Sequence, residues 1–343
     1  MLHFRNDYGN GAHPRVLDAL CQTNLELTVG YGMDDYCRQA ADRIRQLCAC
    51  AQADVHFLVG GTQANKVALD ALLRPWEAVI AADTGHIQVH EAGAIEHNGH
   101  RIYQLPHTDG KLQAQQVRQL CLQYSHDETA PAPRVLYISN TTELGTVYSR
   151  QELVALRQVC DECGLLLYCD GARLACALAV SDLTFADYAA LCDAFTIGGT
   201  KNGLLFGEAL VIPDSRLMPA FRRCLKQQGA MLAKGRLLGV QFLAVLEDGL
   251  YEQLGRQSMA AATALSNGLQ ALQIPQLIQS PSNQLFPILP NGVVQGLQEQ
   301  VAFELWSAID DTHSCIRFVT AWHTTLTEVD SLLQTLRDAL GGI

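Results

Sequence analysis

The chain has 343 residues and a mass of 37.5 kDa, enough for two domains and enough to fold without disulfides or a metal. Hydrophobic residues make up 48% of the chain and charged residues 17%, an ordinary composition for a globular protein. With 24 basic and 35 acidic residues the net charge is −11, and Lys and Arg form no run, so we expect no nucleic-acid partner.

The first two thirds of the chain alternate between short β-rich runs and amphipathic helical patterns. The predicted strands are Asp54–Val59, Glu77–Ala81, Arg101–Leu105, Val135–Ser139, Leu165–Cys169, Asp193–Ile197 and Gly207–Ile212. The predicted helices between them include Tyr36–Cys50, Ala64–Leu73, Gln113–Tyr124 and Arg150–Cys163. Several strands are continuous apolar runs, which are typical of strands covered by helices on both faces. The pattern therefore predicts an α/β fold with a seven-stranded, mostly parallel, doubly wound sheet.

The last third predicts a smaller lobe. Long helical patterns at Met218–Leu232 and Leu237–Leu254 are followed by a helix, a strand at Gln284–Leu289, a helix, a strand at Ser314–Thr320 and a final helix. We expect a large domain over residues 1–250, with an N-terminal arm over residues 1–20. The small C-terminal α+β domain is expected over residues 251–343.

Targeting signals are not evident in the sequence. The N-terminal residues MLHFRNDYGN have no apolar segment, and the longest uncharged stretch, Gln257–Gln298, is interrupted by prolines, so we expect neither a secretory signal nor a membrane-spanning helix. The 12 cysteines are then expected to be reduced, in a cytoplasmic protein. Cys160 and Cys163 have the spacing of a redox or zinc pair, but no second pair or His set accompanies them, so the pattern favours packing.

Residues that follow the strands are the candidate site, because ligands of an open parallel sheet bind outside the carboxyl ends of its strands. Gly60, Gly61 and Thr62 follow the first predicted strand and open a helix. Glycines let backbone N–H groups approach an anion, and a helix N-terminus favours negative charge, so this segment predicts a phosphate cradle. The alternative is a glycine turn in which Thr62 caps the helix.

Two histidines follow the second strand. His86 and His90 are one helical turn apart, with Glu91 beside them, but no third ligand has useful spacing, so we predict no metal site. His86 is either a satisfied polar group at a strand end or a group for stacking and proton transfer. After the fourth strand, residues 140–145 either position a ligand or form an ordinary turn.

Asp170 follows an apolar strand, where a carboxylate is costly to bury without a cation. Arg173 could be its ion-pair partner. Alternatively, Asp170 faces a protonated ligand nitrogen while Arg173 binds a carboxylate. Lys201, one of only five lysines, lies in a Gly-rich bend after the sixth strand. Such a lysine is either an amine nucleophile activated by desolvation or a solvated loop residue.

These features together indicate one cofactor. Pyridoxal phosphate requires an anion site, a carboxylate that keeps its ring nitrogen protonated, and a lysine for a Schiff base. The cradle at residues 60–62, Asp170 and Lys201 supply these three requirements in order along the chain.

A set of longer motifs carries a family resemblance over nearly the whole chain. The motifs are FRNDY, GYGMDD, GGTQAN, GHIQVHEAGA, NTTELGT, DGAR, GGTKNG, KQQGAMLAKG and CIRFVTAW. Through them the sequence resembles threonine aldolases of the β-eliminating lyase group, within the fold-type I pyridoxal-phosphate enzymes. The combination of GTQAN, HEAGA and DGAR is specific to this group.

The resemblance implies cofactor contacts. Lys201 would form the Schiff base, Asp170 would pair with the pyridine nitrogen, and His86 would stack on the ring and help the substrate hydroxyl lose its proton. Gly60, Gly61 and Thr62 would hold the phosphate.

The resemblance also implies substrate contacts and an assembly. Arg173 and Arg317 would hold the substrate carboxylate, with Asn6 nearby. For the base that takes the substrate hydroxyl proton, through water, our candidates are His86 and His90. Tyr31 would reach the site of a neighbouring subunit, because the family forms homodimers or homotetramers with sites at the subunit interface.

Three positions depart from the family pattern. Asn6 stands where Ser is common, and Thr200 stands where Ser usually precedes the Schiff-base lysine. The segment Gln228–Leu232 lacks the Arg that braces a neighbour's phosphate in many members, and Lys234 is the candidate substitute.

The activity implied is retro-aldol cleavage of L-threonine, L-allo-threonine and related β-hydroxy-α-amino acids to glycine and an aldehyde. Other reactions of the same cofactor, namely β-elimination, transamination and racemisation, remain open, because they differ only in which bond is aligned. An alternative of another class is a nonenzymatic nucleotide-phosphate sensor, which would leave Lys201 without a role.

Overall fold

The computed structural model describes residues 1–341. Its strands are β1 (Leu2–His3), β2 (Asp54–Leu58), β3 (Glu77–Ala82), β4 (Arg101–Leu105), β5 (Ala132–Ser139), β6 (Leu166–Asp170), β7 (Ala194–Gly198), β8 (Glu208–Ile212), β9 (Gln284–Leu285), β10 (Ile288–Pro290), β11 (Val301–Ala302), β12 (Glu304–Ala308) and β13 (His313–Val319). Its α-helices are α1 (Pro14–Gln22), α2 (Asp35–Leu47), α3 (Gly61–Leu72), α4 (His86–Val89), α5 (Ala94–His97), α6 (Ala114–Tyr124), α7 (Arg150–Cys163), α8 (Leu174–Val180), α9 (Phe185–Leu191), α10 (Phe221–Gln227), α11 (Arg236–Leu246), α12 (Leu250–Ala271), α13 (Asn291–Leu297) and α14 (Leu326–Gly341).

The central sheet has seven strands in the order β2-β8-β7-β6-β5-β3-β4. Only β8 runs against its neighbours, and the other pairings are parallel. Because β8 is antiparallel to both β2 and β7, those two strands point the same way as the rest. The carboxyl ends of β2, β3, β5, β6 and β7 therefore meet at one edge. The predicted mostly parallel sheet is confirmed.

Two hydrophobic cores cover the two faces of this sheet. Val211 packs in one core, while its neighbour Leu210 packs in the other together with Leu58 and with Ala64 and Val67 of α3. Side chains alternate along a strand, so a strand buried on both faces is apolar throughout. Helix α3 thus lies against one face and presents its N-terminus at the carboxyl edge.

The smaller lobe has its own core and its own sheet, β10-β13-β12, with β9 also paired to β13. The N-terminal arm joins it, because β1 pairs in parallel with β11 and Phe4 packs beside Phe318 and Leu265. The sequence did not predict β1, β11 or β12.

Three predicted elements are broken in the structure. The helix predicted over Met218–Leu232 is reduced to the seven residues of α10. The one predicted over Leu237–Leu254 divides into α11 and α12, because Asp248 and Gly249 adopt left-handed backbone angles with φ of 54° and 69°. The strand predicted over Gln284–Leu289 is interrupted between β9 and β10.

No single helix among residues 1–341 has both the length and the apolar composition to cross a membrane. The helices α8 and α9 meet that test only as a pair bent by 107°.

Candidate active site

A cavity of about 370 Å³ opens at the carboxyl edge of the central sheet. It is lined by eight of the predicted site residues, namely Gly60, Gly61, Thr62, His86, His90, Asp170, Arg173 and Lys201. Each lies at the end of a strand or in the segment that follows one, so the topology brings together residues that are far apart in sequence. Asn6, Tyr31 and Arg317 do not line this cavity within the one chain that the structure describes.

The cradle is formed by the first turn of α3. Gly60 is the N-cap residue, with no side-chain capping bond, so the alternative in which Thr62 caps the helix is wrong. The backbone N–H groups of residues 61–63 make no hydrogen bond to any described residue, as expected for the first turn of a helix. A Cβ built on Gly60 or Gly61 would meet nothing within 4 Å, so both glycines face open space. These donors fit a phosphate group.

Asp170 is buried and held by neutral donors. Its Oδ2 accepts hydrogen bonds from Asn65 Nδ2 and from the Tyr137 hydroxyl, each at 2.8 Å, and its Oδ1 accepts one from the Ala172 amide at 2.9 Å. Burial alone would raise its pKa, but the charge of His86 and these hydrogen bonds hold the pKa below its usual value. The carboxylate thus stays anionic and can hold a protonated ring nitrogen.

Arg173 is paired with Asp7 rather than with Asp170, so that proposed ion pair is wrong. Its Nε and Nη2 donate to the Asp7 carboxylate at 2.7 and 3.1 Å, and Asn283 donates to the same carboxylate at 2.9 Å. Asp7 is buried, which would raise its pKa, yet the charges of Arg173 and Lys201 keep the pKa low. The pair connects the N-terminal arm, the large sheet and the smaller lobe.

The Lys201 amine has no ion-pair or hydrogen-bond partner within residues 1–341. Its side chain lines the cavity instead of extending into solvent, which excludes the solvated-loop alternative. Burial, reinforced by the charge of Arg173, lowers the pKa of Lys201. A larger fraction of the amine is therefore unprotonated near neutral pH, the form that attacks a carbonyl group.

His86 is oriented by Glu91. The two are joined by a 2.8 Å hydrogen bond between His86 Nδ1 and Glu91 Oε1, and Asn65 Nδ2 donates to the same oxygen at 2.8 Å. Burial would lower the pKa of His86, but the bond to Glu91 and the charge of Asp170 raise it. The side chain of His86 lines the cavity, so it can reach a bound ligand.

His90 lies next to His86, with ring centroids 5.5 Å apart. Burial and the charges of His86 and Arg317 lower its pKa, so it is neutral near pH 7 and can accept a proton. Among residues 1–341, no group of three or more His, Cys, Asp or Glu side chains is placed to hold a metal ion.

Arg317 lies on β13, outside the cavity wall. Its guanidinium donates hydrogen bonds to the Glu304 carboxylate and to the Gln284 side-chain oxygen. Its buried Nε has no hydrogen-bond partner among the described residues. Burial, together with the charge of the neighbouring Arg173, lowers the pKa of Arg317.

The two other predicted substrate contacts are placed as follows. Asn6 uses its side-chain oxygen to accept a bond from the Tyr8 amide at 3.1 Å. Tyr31 is 45% exposed and contacts Lys226, whose Nζ lies 4.7 Å from the ring centroid.

Two further predictions concern residues outside the cavity. Lys234 borders a different groove, beside Leu27 and Arg236. Cys160 and Cys163, like the other cysteines, are free.

Sequence reasoning assigned no role to several residues that hold the site. They are Asp7, Asn65, Tyr137, Tyr168 and Glu208. A signal was available for Asn65, because a polar residue follows the cradle on the buried face of α3. No such signal marked Tyr137 and Tyr168, because both lie within apolar strands.

The sheet, the cradle on α3, the anionic Asp170 and the free amine of Lys201 define a pyridoxal-phosphate enzyme of fold type I. The model of the family described as "Beta-eliminating lyase" matches residues 4–288. The chain belongs to that family.

Known proteins agree with this placement. The chain is 31% identical to a low specificity L-threonine aldolase of a Pseudomonas species, over 97% of this chain and 96% of that one. A solved structure of Leishmania major threonine aldolase superposes with a TM-score of 0.97 at 44% identity, covering 98% of this chain and 99% of that one. A solved structure of a Thermus thermophilus aspartate aminotransferase mutant shares the fold. It superposes with a TM-score of 0.72 at 15% identity, covering 98% of this chain and 96% of that one.

Proposed function

We propose that the protein cleaves L-threonine, L-allo-threonine and related β-hydroxy-α-amino acids to glycine and an aldehyde, using pyridoxal phosphate. The observation that carries the proposal is the unpaired Lys201 amine in a cavity that also contains Asp170 and the free amides of α3. The likeness to threonine aldolases over the full chain supports the choice of substrate. When bound, the cofactor supplies an electron sink for the carbanion left by bond cleavage.

Each cofactor contact has a chain residue suited to it. The amides of residues 61–63 would hold the phosphate, and Asp170 would hold the ring nitrogen in its protonated form. His86, fixed by Glu91, would cover one face of the ring. Lys201 would attach covalently, since its amine is unprotonated more often than an exposed lysine.

The substrate would be oriented by two arginines and deprotonated by a histidine. Arg173 and Arg317 are neighbouring cations that a carboxylate can bridge, which would fix the direction of the Cα–Cβ bond. His90, neutral and beside His86, can take the hydroxyl proton directly or through a water molecule. Asn6 would lie beside the carboxylate.

Product analysis tests the activity. Purified protein supplied with pyridoxal phosphate should cleave both L-threonine and L-allo-threonine, releasing one acetaldehyde for each glycine. From L-phenylserine it should release one benzaldehyde for each glycine. Release of ammonia with an oxoacid would instead indicate β-elimination. Amino-group transfer to an added oxoacid would indicate an aminotransferase.

Arg317→Lys should weaken substrate binding. Lysine keeps the charge but loses the planar fork, so KM should rise by about tenfold to a hundredfold with a smaller fall in kcat. Steady-state kinetics with L-threonine measures both constants. Arg157→Lys is the matched control, because Arg157 pairs with Asp193 at 2.6 Å at the opposite end of β6. An unchanged KM in Arg317→Lys would refute the carboxylate role.

We further propose that the active unit is a homodimer or homotetramer with sites at the subunit interface. The segment from Leu25 to Met33 exposes apolar side chains in the single chain, including Leu25 at 90% and Leu27 at 101%. Such a surface favours a partner copy, to whose site Tyr31 and Lys234 would contribute. Mass measurement by light scattering would test the assembly.

We also propose two domains, over residues 1–250 and 251–343, and a cytoplasmic location. The separate core of the smaller lobe supports the division, although Phe4 of the N-terminal arm packs in that core and β1 pairs with β11. The free cysteines agree with a reducing compartment.

A further inference from the structure

Glu208 is a buried carboxyl group in the cavity wall that the proposed mechanism leaves without a role. It begins β8, is 4% exposed, and lines the same cavity as Lys201 and the cradle. Its Oε2 is buried and has no hydrogen-bond partner among residues 1–341. An ionised carboxylate is costly in such a place, because burial removes its water without replacing it.

The register of the strands places Glu208 on the side of the sheet that α3 covers. Glu208 pairs with Leu58, two residues before Gly60. Leu58 and Leu210 pack in the core that contains Ala64 of α3, and Glu208 shares their face because side chains alternate along a strand. The carboxyl group therefore lies at the edge where α3 begins, in the wall of the cavity that Gly60, Gly61 and Thr62 also line.

The groups that face Glu208 favour its neutral form. Burial, followed by the negative charge of Asp170 on β6, raises the pKa of Glu208 to about 8, although the charge of Lys201, the Thr200 hydroxyl and the Gly199 amide oppose this rise. Tyr168 on β6 packs on the same face, and Tyr251 on α12 packs in the core on the other face. Burial keeps both hydroxyls protonated by raising their pKa. The first turn of α3 contains no acidic residue.

We propose that Glu208 is a protonated hydrogen-bond donor of the phosphate cradle, acting on the phosphate group of pyridoxal phosphate together with the amides of residues 61–63. The inference rests on the proposed function for the identity of the anion. A phosphate monoester carries nearly two negative charges at neutral pH, so it repels an ionised carboxyl and accepts from a neutral one. Phosphate binding and protonation of Glu208 therefore reinforce each other.

This coupling fixes the sign of a pH effect. Below the pKa of Glu208 in the free protein the donor is already in place, and phosphate affinity does not depend on its titration. Above that pKa, of about 8, binding has to take up a proton, and affinity falls as pH rises. Glutamine is a permanent neutral donor of similar shape, so Glu208→Gln should remove the fall.

Equilibrium binding to the full chain freed of cofactor tests the proposal. The probe is pyridoxine 5′-phosphate, which has no aldehyde and cannot attach to Lys201, and pyridoxine is the matched probe without phosphate. Wild-type affinity for the phosphorylated probe should decline above about pH 8, by up to about tenfold per pH unit. Glu208→Gln should show a smaller decline, no steeper than the decline that either protein shows for pyridoxine. Glu208→Ala should bind about tenfold to a hundredfold more weakly at neutral pH.

A decline in Glu208→Gln equal to that of the wild type would overturn the inference. So would an equal effect of the substitution on pyridoxine, because Glu208 would then act on the ring or on Lys201. Glu143→Gln is the matched control, because Glu143 also lines the cavity and burial also raises its pKa. This variant should retain the wild-type decline. These outcomes differ from a failure of the proposed function. In that case the wild type would bind neither pyridoxine 5′-phosphate nor pyridoxal phosphate. Circular dichroism reports whether each variant is folded.

Discussion

Lys201→Ala is expected to abolish covalent attachment of pyridoxal phosphate and to lower turnover of L-threonine by at least about a thousandfold. The physical reason is the placement of the amine. It is unpaired within residues 1–341, lines the cavity, and has a pKa lowered by burial and by Arg173. No other lysine of that part of the chain lines the cavity, so no second amine can replace it as the nucleophile. Borohydride reduction followed by peptide mass spectrometry should locate the cofactor on the peptide that contains residue 201 in the wild type, and nowhere in the variant.

Lys66→Ala provides the matched control for this experiment. Lys66 lies on α3, close to the cradle in sequence but outside the cavity wall. This variant should keep both the covalent adduct and the activity. An adduct that persisted in Lys201→Ala, or turnover near the wild-type rate, would contradict the central assignment.

The sequence predicted the strands and helices of the large α/β region well, because the signals that set the bounds of these elements are local. Helix α7 is an example, since the predicted bounds Arg150–Cys163 are the observed ones. Ser149 caps the helix in a reciprocal bond pattern with Glu152, and Gly164 ends it in a left-handed conformation with φ of 67°. These are signals that a few adjacent residues carry by themselves.

Helix breaks were missed where the apolar period continues across a turn. The pattern between Leu246 and Leu250 remains helical in spacing, but the left-handed residues Asp248 and Gly249 interrupt the helix there. Strand β12 was missed because none of its residues is buried, so it has no apolar face to mark it. Strands β1 and β11 were harder still, because each has only two residues and they pair with each other across most of the chain. Such pairing is a property of the tertiary structure rather than of the local residues.

The site was predictable in its chemistry but not in its contacts. The positions of the cradle, Asp170 and Lys201 follow from the rule that ligands bind at the carboxyl ends of strands. The partners of these groups do not, because Asn65 is 105 residues from Asp170 and Asp7 is 166 residues from Arg173. The sequence therefore suggested Arg173, only three residues away, as the partner of Asp170.

Asp170→Asn is expected to lower kcat by at least about a thousandfold, which corresponds to about 4 kcal/mol of transition-state stabilisation. Asparagine keeps the shape of the side chain but cannot hold a ring nitrogen in its protonated form, so the electron sink is weakened. Pre-steady-state and steady-state kinetics with L-threonine measure the loss. A cofactor analogue with a methylated ring nitrogen is permanently cationic and should restore part of the activity, because it no longer needs the carboxylate.

Asp193→Asn separates this electrostatic role from a structural one. Asp193 is also a carboxylate of the central sheet region, paired with Arg157 at 2.6 Å and accepting from the Leu167 amide at 2.7 Å, but at the opposite end of β6. Its substitution should lower the thermal midpoint while kcat stays near the wild-type value, because it weakens a partly buried ion pair remote from the cavity. If Asp170→Asn lost stability but kept kcat, or if the methylated analogue gave no recovery, the carboxylate would be a structural group and the assignment of the ring nitrogen to it would fail.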